Sequence, residues 1–194
     1  MGSDLLLKKV QIVNGAKKVY DGVPGYPLQD ASGALANISF THHKVHAGDT
    51  FMSAFRVEDL ADDGSAVVAI SCGSRIAHMV GTVLTTGDTY FDIAAFPVLS
   101  SAGSAQYIAR KNGNTTTLPT TGVYLTPGVS SAGVTIFESV IPGGQKTFAS
   151  GGTGGHGGEW VLVPNNNYLL TVTNKSGSAT TIGFQIEWYE GSSL

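Results

Sequence analysis

The sequence predicts an all-β chain, an antiparallel β-sandwich of jelly-roll-like type with an N-terminal β-hairpin arm. Three observations predict it. Charged residues make up only 13% of the 194 residues, about half the usual share, while hydrophobic residues make up 42%. That balance suits a real core beneath hydroxyl-bearing strands and starves exposed helices, which need Glu, Lys and Arg on their wet side. The 26 glycines supply tight turns. Short β-prone runs also recur at even spacing from Asn37 onward, with turn residues between them, as in sandwiches and barrels.

The elements follow in order. Residues 5–13 and 16–20 flank Asn14-Gly15, and both central residues of a type I′ hairpin turn need positive φ. Residues 21–36, with Pro24 and Pro27, form an irregular connector. Residues 1–36 are therefore taken as an arm and connector, and residues 37–194 as the sandwich. The arm either pairs with a neighbouring subunit or supplies the first hairpin of the sandwich; the residues leave both open. Strands are expected over residues 37–45, 50–57, 66–71, 77–85 and 89–96, with one helical turn over 57–63. A strand over 105–110 precedes a polar loop at 112–117, and residues 133–141 alternate clearly. The glycine run from Gly151 to Gly158 is expected to be a loop. Three aromatic-bearing strands follow it, after Glu159, after Asn165 and after Thr181.

Several function classes are disfavoured by composition. The net charge is −3, the basic residues are scattered, and the nearest thing to a cluster is the pair of doublets Lys8-Lys9 and Lys17-Lys18, so no nucleic-acid partner is expected. A single cysteine, Cys72, rules out an internal disulfide; it follows an apolar run and is expected to be a buried, inert thiol. Leu5-Leu-Leu is too short for a secretory core, and no run approaches the ~18 apolar residues of a membrane span, so synthesis in a cytoplasm and no membrane partner are expected. A surface this short of charge suits a subunit covered in an assembly better than a free monomer.

The chemistry-bearing residues predict no catalytic, cofactor-binding or metal-binding site. In a strand, His42 and His46 share a face about 13 Å apart, too far to hold one metal without a bend, with His43 opposite and Asp49 near enough to complete a site if one forms. His78 lies in an apolar strand and is expected to be a satisfied core or interface residue. His156 sits alone in the glycine run, where no geometry is held. Residues 128–133 lack the spacing of a nucleophile elbow, and residues 142–147 lack the glycine that a phosphate loop needs before its lysine. The carboxylates Asp62, Asp63, Glu138, Glu159, Glu187 and Glu190 could pair only through tertiary distance. Asp62-Asp63-Gly64 has the form of a turn tip and lacks the ligand pattern of a calcium loop. Among the aromatics, Tyr90, Phe91, Phe96, Trp160, Tyr168, Trp188 and Tyr189 serve a core or, exposed, a sugar-stacking platform. Trp188 and Tyr189 fall on opposite faces of one strand.

Three runs carry a resemblance: Trp160-Val-Leu-Val-Pro-Asn-Asn-Asn-Tyr-Leu-Leu, Thr173-Asn-Lys-Ser-Gly-Ser and Glu187-Trp-Tyr-Glu. They resemble the C-terminal signature of a family of phage virion structural proteins. His46-Ala-Gly and Thr86-Gly-Asp-Thr-Tyr-Phe are similar to that family's middle. The likeness spans roughly residues 40–190 and leaves out residues 1–36. It implies a non-enzymatic capsid decoration (cement) protein on the capsid surface. The expected partners are the major capsid protein and further copies of the chain, as a dimer or trimer, with no cofactor. The alternative is a carbohydrate- or receptor-binding module of a head or tail fibre. An enzyme acting on glycans comes third.

Overall fold

The computed structural model describes residues 28–29, 35–36, 40–143, 149–152 and 159–191. The chain divides into two compact units, Met1–Ala47 and Gly48–Leu194. The hairpin expected over residues 5–20 lies outside the described residues.

In the first unit, β1 (Leu28–Gln29) pairs antiparallel with β2 (Leu35–Ala36). The strand expected over residues 37–45 is instead largely a helix, α1 (Phe40–Ala47). Within α1 only Thr41 and Val45 are β-branched, so little favours extension there. The helical turn sets His42 edge-on against His46, with the Nε2 atoms 2.8 Å apart and the ring centroids at 4.6 Å. Lys44 and His46 occupy the last turn, where the helix dipole favours positive charge. Gly48 follows at φ +83°, the left-handed conformation in which helices commonly stop.

The second unit holds the remaining strands. They are β3 (Thr50–Leu60), β4 (Ser65–Ser71), β5 (Ile76–Thr85), β6 (Thr89–Ala95), β7 (Val98–Ser101), β8 (Ser104–Ala105) and β9 (Ala109–Arg110). Then come β10 (Gly122–Leu125), β11 (Gly128–Ser131), β12 (Val134–Ile141), β13 (Ala149–Gly152), β14 (Trp160–Leu162), β15 (Asn167–Asn174) and β16 (Thr180–Gly191). One sheet runs β12-β6-β15-β4-β10-β8; the other runs β13-β5-β16-β3-β9, with β14 also on β5. A separate ribbon pairs β7 with β11. All the pairings are antiparallel. The chain switches sheet at nearly every step, and this is an all-β sandwich. Strand order alone does not establish a jelly-roll winding.

The core lies between the sheets and follows from alternation. On β16, Ile182, Phe184, Ile186 and Trp188 are buried, while the residues between them are not. They meet Phe51, Met79 and Val83 of the same sheet and Val68, Ile70, Phe91, Leu170 and Val172 of the other, in one cluster. Phe55 stacks on Phe184 at 5.3 Å, and Phe51 lies 5.8 Å from Trp188.

Three local expectations need correction. No helical turn occurs at residues 57–63, because β3 runs on to Leu60. Asp59 takes φ 53° beside a register shift against β16, so a bulge absorbs the irregularity. The strand expected over 105–110 is two short pieces, β8 on β10 and β9 on β3. The chain changes sheet between them, held where Ser53 Oγ donates to the Tyr107 carbonyl at 2.9 Å. Finally, Gly151 and Gly152 are not loop but the end of β13, opposite Val83 and Thr82. Residues 153–158, including His156, lie outside the described residues.

Candidate functional site

Three polar clusters gather the chemistry-bearing side chains of the second unit. The first is on the outer face of the β5-β16 sheet. Antiparallel pairing sets His78 opposite Tyr189 and, on its other side, opposite Val161. Glu159, just before β14, is thereby carried over the pair. Its Oε1 lies 2.5 Å from His78 Nδ1 and accepts the Tyr189 hydroxyl at 2.7 Å. The two rings stack at 4.5 Å and 11°. Burial pushes the Glu159 carboxyl up, but the hydrogen bonds from Tyr189 and His78 and the His78 charge outweigh it, and the net direction is down. Tyr189 is raised by burial and by its bond to Glu159.

Glu159 thus gains its partners through tertiary distance, from β5 and β16. This arrangement also places His78 on the outer face rather than in the core. Chemically, a carboxylate that orients an imidazole is half of a nucleophile-activating system. No hydroxyl or thiol bonded to His78 completes it among the described residues.

The second cluster is buried. Glu190 is 1% exposed. Thr120 N–H donates to both its oxygens at 2.9 Å, the Thr120 hydroxyl to Oε2 at 2.9 Å, and Thr121 N–H to Oε1 at 2.8 Å. Trp188 Nε1–H donates to Oε1 at 3.2 Å. The carboxylate thus fastens the loop before β10 to the end of β16, and its donors are what make burial of a carboxylate tolerable. The Cys72 thiol is pushed up to about 12 by burial and then by the Glu190 charge, as fits an inert thiol.

The third cluster is a shallow groove of about 470 Å³ on the outer face of the other sheet, lined by Tyr90, Asp92, Glu138, Ser139 and Val140. Glu138 on β12 lies directly opposite Asp92 on β6. Burial and then the Glu138 charge raise the Asp92 carboxyl. Sequence reasoning did not single out Asp92, since nothing local marks it as the cross-strand neighbour of Glu138.

The remaining candidates have structural partners. Glu187 takes an ion pair from Lys111 at 2.7 Å. Asp62 accepts Gly177 N–H at 2.9 Å and Asp63 pairs with Lys175 at 2.6 Å, so the Asp62-Asp63 turn is docked on the Thr173–Ser178 turn. Within that turn Asn174 is 0% exposed; it donates to the Leu60 and Ser178 carbonyls and accepts Ser176 N–H and its hydroxyl. Asn165 takes φ 57°, and Asn166 closes the same turn onto Pro164 O. Trp188, 2% exposed, and Tyr168, 3% exposed, are core and cannot stack on a ligand; Tyr90 stands 49% exposed. His42 and His46 come together on α1 without a third ligand: among the described residues no group of three or more His, Cys, Asp or Glu is placed to hold a metal ion. No described helix is long and apolar enough to cross a membrane.

The fold and its clusters define an all-β sandwich with polar side chains knitted into its turns and strand ends. In comparisons with protein-family models, curated proteins and solved structures, none matches this chain.

Proposed function

We propose that the chain is a non-enzymatic phage virion structural protein, a capsid decoration (cement) protein that binds and stabilises the shell of major capsid protein as a homo-oligomer. One observation carries the reading: large apolar side chains stand exposed on a surface short of charge, several of them along a sheet edge. Val134 and Val140 are each 64% exposed and Ile136 40%, all on β12. β12 ends its sheet with β6 as its only ladder partner among the described residues. Apolar side chains on an open edge are a liability in a free monomer and an asset in a subunit that docks. The proposed action is mechanical. Burial against neighbouring capsid subunits clamps them, and many small contacts become strong on a repeating shell. Glu190, Asn174 and Asn166 support it, since the motif residues that prompted the resemblance serve the stability of the sandwich. The test is cosedimentation with expanded empty capsids, with and without residues 1–36; if neither form binds shells, the reading fails.

The groove favours a second reading, a carbohydrate-binding module of a head or tail fibre. An exposed tyrosine beside two carboxylates is chemistry that grips sugar hydroxyls and faces. Glycan-array binding lost in Tyr90→Ala supports it, and an array with no binder removes it.

A further inference from the structure

We propose that residues 5–13 of one copy add to the β12 edge of a second copy, with Lys8 paired to Glu138. The edge supplies the main-chain half of the contact. β12 is eight residues long, bonded through β6 on one side, with no backbone hydrogen bond on its other side among the described residues. A peptide of matching length adds to such an edge by completing the ladder. Residues 5–13 have that length.

The side chains supply the register. Ile136, Glu138 and Val140 stand two apart along β12, reading apolar–acid–apolar. Leu6, Lys8 and Val10 stand two apart in the arm, reading apolar–base–apolar. Setting Lys8 opposite Glu138 therefore sets the apolar residues opposite each other in either strand direction. The charges also match. Between Leu5 and Tyr20 the arm holds four lysines and no carboxylate. The edge presents Glu138 beside Asp92, two like charges on facing residues with no cationic partner among the described residues. An incoming lysine relieves that repulsion.

The inference deepens the assembly reading by naming a second copy as partner, and it rests on that reading for its use on a shell. Its test needs no shell. Sedimentation equilibrium of the full chain is measured for wild type, Lys8→Glu, Glu138→Lys and the combined exchange. Wild type self-associates, each single reversal raises Kd about 5- to 30-fold, and the exchange restores association. Glu138→Lys removes a repulsion from Asp92, so thermal unfolding shows it at least as stable as wild type, and its weaker association is not a folding defect. Zero-length carbodiimide coupling of mixed isotopically light and heavy copies then gives a Lys8–Glu138 link joining light to heavy. A monomeric wild type, unchanged single reversals, an exchange that fails to restore, or links confined to one copy overturn the proposal. If self-association behaves as stated but no shell is bound, the decoration reading fails and the strand addition stands.

Discussion

Replacing Glu190 tests whether the closing strand is held by its buried carboxylate. Glu190→Ala leaves four donors without their acceptor: Thr120 N–H, the Thr120 hydroxyl, Thr121 N–H and Trp188 Nε1–H. Each such donor costs about 1–3 kcal/mol when it is buried, less where water can reach it, as at Thr120. Against this, the burial cost of the carboxylate, several kcal/mol, is relieved. The emptied side-chain volume adds a cavity cost, and the net expectation is a loss of about 3–5 kcal/mol for Glu190→Ala. Glu190→Gln keeps the shape and one oxygen, but turns the other acceptor into a donor facing donors; about 2–3 kcal/mol is expected. At roughly 2–4 °C per kcal/mol for a domain of this size, Glu190→Ala lowers Tm by about 6–20 °C. Guanidinium unfolding at unchanged m measures the loss directly. A companion readout is the Cys72 thiol. In Glu190→Gln its pKa moves down from about 12, yet stays above the ordinary value, because burial is the larger cause. A Glu190→Gln protein within about 0.5 kcal/mol of wild type would refute the reasoning.

Further outcomes follow from the other clusters. Asn174→Ala removes both donations to carbonyls and both acceptances from Ser176, and about 2–4 kcal/mol is lost in denaturant titration; Asn174→Asp loses comparably, since a carboxylate faces the Leu60 and Ser178 carbonyls. Asp92 has a raised carboxyl, so its contribution is present at low pH and lost as pH rises through the raised value. Asp92→Asn therefore stabilises the chain at pH 7 by a few tenths of a kcal/mol and flattens that part of the stability–pH curve, an effect that added salt shrinks. Glu159 has a lowered carboxyl, so its contribution is present above the ordinary carboxyl range and lost as pH falls through the lowered value. Glu159→Gln removes that acid limb, at under about 1 kcal/mol because the carboxylate is partly solvent-exposed; an unchanged acid limb in acid titration counts against the His78–Glu159–Tyr189 contact.

The Glu187-Trp-Tyr-Glu run shows what the sequence made legible and where local reading stops. Its period of two was visible and set Trp188 and Tyr189 on opposite faces, and the structure has Trp188 inside and Tyr189 outside. The same period, continued by one step, puts Glu190 inside with Ile186 and Trp188. A charged residue is rarely buried, but the alternation is the stronger signal, because a one-residue slip would expose the whole buried face. What the alternation could not supply was the partner, the Thr120-Thr121 backbone 70 and 69 residues away. Glu159 and His78 are joined across 81 residues only by the register of a three-residue strand on β5, and no local pattern announces it. Helix α1 was missed for the opposite reason. Its histidine-rich run has no apolar period of either kind, and the one informative residue is Gly48, at positive φ just past the helix end. Periodicity thus recovers the elements with one wet and one dry face, and the clusters arise where register brings distant strand ends together. Glu190 belongs to both: its inward direction is written in the strand, and its tolerance for burial comes from a loop the strand itself does not contain.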